Sequence, residues 1–159
     1  MSVQTRIEII RKANEMFVAM INNLSVEELN AIPDGFNNNI IWNFAHSLAV
    51  QQAFFYALSK LPYTIDEAFI NQYKKGTRPE RKVEENEIAD IIRMFAESIN
   101  GFENDYKKGI FQTYQNYTTS IGFTLTNIDE AIQAASFHDG WHFGYARAIK
   151  KMVEKKELA

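Results

Sequence analysis

The sequence predicts an all-α protein, a four-helix bundle with long connections and one or two short extra helices. Three observations predict it. Apolar side chains recur at steps of three, four and seven along four segments of about 20 to 28 residues, the spacing of one helical face. Proline, glycine and asparagine clusters fall largely between those segments. No internal repeat with a period of roughly 20 to 50 residues is evident, which argues against a solenoid.

The first helix is expected from Val3 to about Asn23, its stripe formed by Ile7, Ile10, Phe17, Met20, Ile21 and Leu24. Ser25 then opens SVEE, a capping-box pattern in which Ser25 and Glu28 exchange hydrogen bonds, so a short helix follows and ends before Pro33. DGFNNN (Asp34 to Asn39) is turn chemistry, and its asparagines are good N-caps. Helix two should start near Asn39 and carry IIWNFAHSLAVQQAFFYALSKL without a break until Pro62. Its strongly apolar composition makes it central.

Asp66 can cap a short connecting helix, DEAFINQYKK, which ends at Gly76 before the GTRPER linker. The third long helix is expected from about Glu84 to Lys107, with Ile88, Ile91, Ile92, Phe95, Ile99, Phe102 and Tyr106 as its stripe and Gly101 a weak point rather than an end. Ile110 to Thr126 is uncharged, aromatic and β-branched, and reads as a loop or a short hairpin. NIDE (Asn127 to Glu130) repeats the capping logic and opens the last long helix, which runs to about Lys155 and ends in a solvated KKMVEKKE tail.

Composition sets the class. The 159 residues suit a single domain spanning 1–159, and 46% apolar against 23% charged residues predicts a packed soluble core. A net charge of −3 argues against nonspecific binding to nucleic acid or anionic lipid. The absence of cysteine rules out disulfides, thiolate ligands and a cysteine nucleophile, and fits a reducing compartment. The N-terminal region carries no signal-like apolar run and no segment reaches about 18 apolar residues, so a cytoplasmic protein with no membrane partner is expected.

The three histidines carry the functional signal. In SFHDGWHFGYAR, His138 and His142 sit four residues apart within the seam Ile128, Ala131, Ala135, His138, His142, Tyr145, Ile149, Met152. Side chains at i and i+4 project from one helical face, so the two imidazoles can converge on one ion. His46 occupies a matching seam on helix two, with Trp42, Ala49, Ala53 and Tyr56. If the two helices face one another, the three rings form a metal site with positions open to water or substrate. Hydrogen-bonded core histidines are the alternative.

FNNNIIWNFAHSLAVQQAFFYALSKLP, followed after a long gap by FHDGWHFGYARAIKK, resembles the DinB-like superfamily of metal-binding four-helix proteins. The resemblance covers nearly the whole chain. It implies that His46, His138 and His142 are ligands of a divalent metal ion, zinc or nickel, with solvent in the open positions. It also implies a metal-dependent reaction on a small-molecule substrate, either S-transfer with a low-molecular-weight thiol cosubstrate such as bacillithiol or mycothiol, or hydrolysis. A noncatalytic bundle that binds metal, or a partner through Ile110 to Thr126, is the other reading.

The neighbours of the histidines leave choices open. Asp139 can orient a ligating ring, act as a catalytic base toward a bound water or thiol, or be a solvated surface carboxylate. Gly140 and Gly144 each weaken the helix by about 1 kcal/mol relative to alanine, and close packing of another helix is favoured over ligand space as compensation. Trp42, Tyr145 and Trp141 are pocket walls or plain core, and only the first two share the histidine seams. Gln51 and Gln52 either satisfy imidazole N–H groups or face solvent. A symmetric homodimer is expected to cover residual apolar patches.

Overall fold

The computed structural model describes residues 1–156. Six α-helices are present among the described residues: α1 Val3–Ile21, α2 Val26–Asn30, α3 Ile40–Gln52, α4 Glu67–Tyr73, α5 Glu85–Lys107 and α6 Ile128–Lys156. The four long ones form the bundle. α6 lies against both α1 and α3, and α5 touches the same two helices from the other side. This places α3 and α6, the histidine-bearing helices, side by side.

The starts of the helices follow from local chemistry. Ser25 and Glu28 form the expected capping box at α2, the Asn39 side chain accepts from the Trp42 amide at α3, and Asp66 caps α4 through Ala68. At α6, Asn127 caps the Glu130 amide as expected, but the Glu130 carboxylate reaches back to Thr126 rather than to Asn127 itself. Each bond satisfies a donor that the first turn of a helix would otherwise leave bare.

Helix two departs from the expected continuous helix. After Gln52 the chain widens into a π-helical turn, Ala53–Ala57, with the Leu58 amide bonded to the Ala53 carbonyl, five residues back. It then leaves the helix through Lys60 at φ 59°, before Pro62. Carbonyls at this loosened end are taken up by the segment after α5: Tyr114 Oη donates to the Phe54 carbonyl, the Gln115 amide to Leu58 and Thr113 Oγ1 to Ser59. Ile110 to Thr126 is thus loop and hairpin in succession. Its two strands, β1 Tyr117–Thr118 and β2 Thr124–Leu125, pair antiparallel with Tyr117 opposite Leu125.

The bundle holds two apolar clusters. One gathers Phe17, Phe44, Leu48, Phe95 and Ile149, the other Ile7, Phe55, Ile99, Phe102 and Ile132. Each long helix carries a buried polar residue between its contributions to the two: Asn14 on α1, Gln51 and Gln52 on α3, Ser98 on α5 and Asp139 on α6. Gln52 Nε2 donates to Ser98 Oγ and Thr64 Oγ1, and Gln51 Nε2 donates to Asp139 Oδ2 at 2.6 Å. The glutamines are therefore core residues, neither solvated nor bonded to imidazoles.

The inward stripe of α6 is also shifted from the expected seam. Ala131, Ile132, Ala135, Asp139, Ala146, Ile149 and Val153 are buried, whereas Met152 is exposed. His138 and His142 lie half-buried on the flank of this stripe. The expected tail is helical to Lys156 and packs Val153 into the core, while Glu157 lies outside the described residues.

Candidate metal centre

His46, His138 and His142 come together, each offering one ligand atom, and these atoms all lie within 4.8 Å of one another. Ring centroids are 5.2 Å apart for His46 and His138, 4.7 Å for His46 and His142, and 4.4 Å for His138 and His142. The distance of 92 residues between His46 and His138 is closed by the packing of α3 on α6.

What lies behind the rings decides which nitrogens face forward. His46 Nδ1 is 2.6 Å from the Tyr73 carbonyl oxygen, which only accepts, so the ring donates there and leaves its Nε2 lone pair free. His142 Nδ1 is 2.7 Å from Asn43 Oδ1, and Asn43 Nδ2 is itself committed to the Asn39 carbonyl. That second bond makes the Asn43 oxygen the acceptor and again leaves Nε2 free. His138 Nδ1 faces Asp139 Oδ1 at 3.8 Å, longer than a hydrogen bond, and neither atom has another partner. Partners of this kind fix the tautomer and orientation of a metal-ligating imidazole.

The electrostatics agree. Burial brings the His142 pKa down to about 3 and the His46 pKa down to about 4, with the neighbouring imidazoles pushing the same way. Both rings are thus neutral near pH 7, the form that presents a lone pair. Burial, opposed by His138 and Gln51, holds the Asp139 carboxyl above the usual carboxylate range. Three converging imidazoles, with ring N–H groups engaged or facing acceptors, are a donor set that suits a divalent metal ion.

The rings open onto a cavity of about 810 Å³. α3 and its π-helical turn supply Ala49, Val50, Ala53, Phe54 and Ala57, while α6 supplies Ala134, Phe137 and Trp141 opposite. The hairpin contributes Tyr117, Ile121 and Phe123, and the charged lining comes from Glu67 at the start of α4 and Lys74 and Lys75 just past its end. The segment expected to bind a partner therefore walls this cavity.

Several expectations around the site change. Asp139 is 2% exposed, so it is not a solvated surface carboxylate, and it lies behind His138 instead of in the cavity wall. Trp42 is buried and stacks on His46, with centroids 4.6 Å apart and planes at 10°. Tyr145 packs edge-on against Phe36, whereas Trp141, off the seam, lines the cavity. At Gly140 and Gly144 a methyl group would meet nothing within 4 Å, so no helix packs closely there.

Asn43 and the Tyr73 carbonyl escaped the sequence reading. Asn43 had a usable signal, since it precedes His46 by three residues and so shares its helical face. The carbonyl had none.

No curated protein matches the chain. The family model of the DinB superfamily matches residues 9–146, a span that reaches from α1 into α6 and includes all three histidines, and the chain belongs to that superfamily.

Proposed function

We propose that the protein is a divalent-metal-dependent enzyme of thiol S-transferase or hydrolase type, its ion, zinc or nickel, held by His46, His138 and His142. One observation carries the reading: three imidazole ligand atoms converge at a cavity large enough for a small-molecule substrate. The ion, when bound, supplies Lewis acidity that activates a thiol or a water near neutral pH. The chain supplies orientation. The Tyr73 carbonyl and Asn43 hold two rings with Nε2 forward, and Asp139 acts as a positioning residue for His138. The apolar walls keep bulk water from the reacting group.

The chain has no cysteine, so a thiol nucleophile must come from a low-molecular-weight cosubstrate. The reading treats residues 1–159 as one cytoplasmic domain that acts as a homodimer and contacts neither nucleic acid nor membrane. No described helix is long and apolar enough to cross a membrane.

A noncatalytic bundle that binds a partner is the second reading, favoured by the exposed Ile121 and Phe123 of the hairpin. Elemental analysis of untagged protein separates the two when combined with turnover assays. These pair thiols with electrophiles, and water with esters and amides, beside an His142→Ala control. Metal-dependent turnover that disappears in the control supports the enzyme. Full metal content with no turnover in either panel supports the second reading, and absence of metal refutes the proposed centre.

A further inference from the structure

The cavity has a chemical character that the histidines alone do not dictate. Its depth is set by small side chains: Ala49, Ala53 and Ala57 follow one another at steps of four along α3 and its π-helical turn, and Ala134 stands on α6. Phe54 and Ile70 line the cavity as well. Among the described residues, charge enters from the start of α4 and the two residues that follow it, where Glu67, Lys74 and Lys75 are all exposed and of mixed sign. Asn71, Ser120 and Gln133 are likewise exposed, which places their amide and hydroxyl groups at the mouth.

The rim is apolar as well. Ten large apolar side chains are exposed among the described residues, and four of them, Ile121, Phe123, Phe137 and Trp141, line this one cavity. Isolated exposed apolar residues are ordinary, but a contiguous group around a cavity marks a binding site. The Phe137 and Trp141 rings lie edge to face at 5.7 Å, so the group is packed and not scattered. A polar ligand would lose its hydration wherever it lay against alanine and phenylalanine, which offer no hydrogen-bond partner.

We infer that the substrate handled at the histidines has an uncharged apolar body, an alkyl chain or fused ring system. It lies along the alanine wall with its reacting group toward His46, His138 and His142. The inference rests on the proposed function for its reacting end only, because the apolar body is recognised by walls that hold no metal.

The test displaces a neutral fluorescent hydrophobe, N-phenylnaphthylamine, from the full chain with hexanol, octanol and decanol, with metal content measured on the same samples. Affinity is expected to rise roughly threefold to fourfold per methylene. Filling the wall with Ala53→Trp should weaken decanol binding at least tenfold at unchanged metal content. Trp141→Ser, at an exposed position, should weaken it severalfold, and wild-type Trp141 emission should shift to the blue on binding. An affinity that is flat along the series, or indifferent to both variants, overturns the inference. A retained chain-length slope in protein that binds no metal supports the apolar body and overturns only the metal reading. A lost slope with full metal does the reverse.

Discussion

Behind the three imidazoles every Nδ1 faces a polar group: the Tyr73 carbonyl, the Asn43 side chain and, across 3.8 Å, the Asp139 carboxylate. In front of them the wall is alanine, valine and phenylalanine. The same cluster thus has a back made of directional bonds and a front made of undirected apolar surface. Hydrogen bonds fix angles and tautomers, while apolar walls recognise shape and exclude water. Under the proposed function, holding an ion and choosing a substrate would fall to different residues, and the two would be separable by mutation.

The largest break comes from removing the point where the two sides meet. His46→Ala takes away the donor from α3 and leaves only the His138–His142 pair. Retained metal after dialysis is expected to fall at least tenfold, as measured by elemental analysis. In the wild type, zinc at a hundred times its Kd should add about 2.7 kcal/mol of stability, read from the shift of the unfolding curve. In His46→Ala that shift should nearly vanish. A variant that keeps full metal and the full shift would show that the ion does not sit among these rings.

Variants of the back sharpen the contrast at smaller cost. Asn43→Leu removes the acceptor that fixes His142, and about tenfold to a hundredfold weaker metal binding is expected, since the partners of ligating histidines contribute on that scale. Asn43→Asp, which keeps an acceptor oxygen at the same reach, should restore most of it. Asp139→Asn keeps the shape and removes the carboxyl group facing His138, so the loss should be roughly tenfold. The wall variant Ala53→Trp should leave metal affinity unchanged within about twofold, the additivity expected of sites that share no partner. A titration with zinc measures all four. Equal losses from back and front would end the division of labour.

Legibility in the sequence followed the range of the interactions. The helices were readable because their signals are local: capping by Ser25, Asn39, Asp66 and Asn127, and apolar spacing along each segment. The histidine triad was readable because the i, i+4 spacing puts His138 and His142 on one side of α6, and the packing of α3 on α6 brings His46 to them. The π-helical turn was not, since Ala53–Ala57 has an ordinary helical composition and its carbonyls are satisfied only by Thr113, Tyr114 and Gln115, distant in sequence. A solvated surface position for Asp139 stayed open as one of three alternatives for a related reason. A carboxylate on an apolar stripe reads as an error in periodicity until Gln51, 88 residues away, supplies its partner. The cavity wall was least readable, because it draws on four separate stretches of chain.

The smallest expected effect lies on neither side of the rings. Gly140 and Gly144 flank His142 in sequence, and their spacing suggested a second helix packed close to the backbone. Both are exposed, and a methyl group at either would meet nothing within 4 Å. Neither has the positive φ that would demand glycine. Each therefore carries the helix penalty of glycine with no contact among the described residues to compensate for it. Gly144→Ala should stabilise the metal-free protein by about 0.8–1.0 kcal/mol, measured as a higher urea midpoint at unchanged slope. Metal affinity should not move, because the substitution touches neither the polar back nor the apolar front. A lower midpoint would mean that something outside the chain covers this face of α6. Sedimentation of the same variant would then show whether the cover is a second copy, since a dimer packed through glycine backbones would loosen when a methyl group is placed between them.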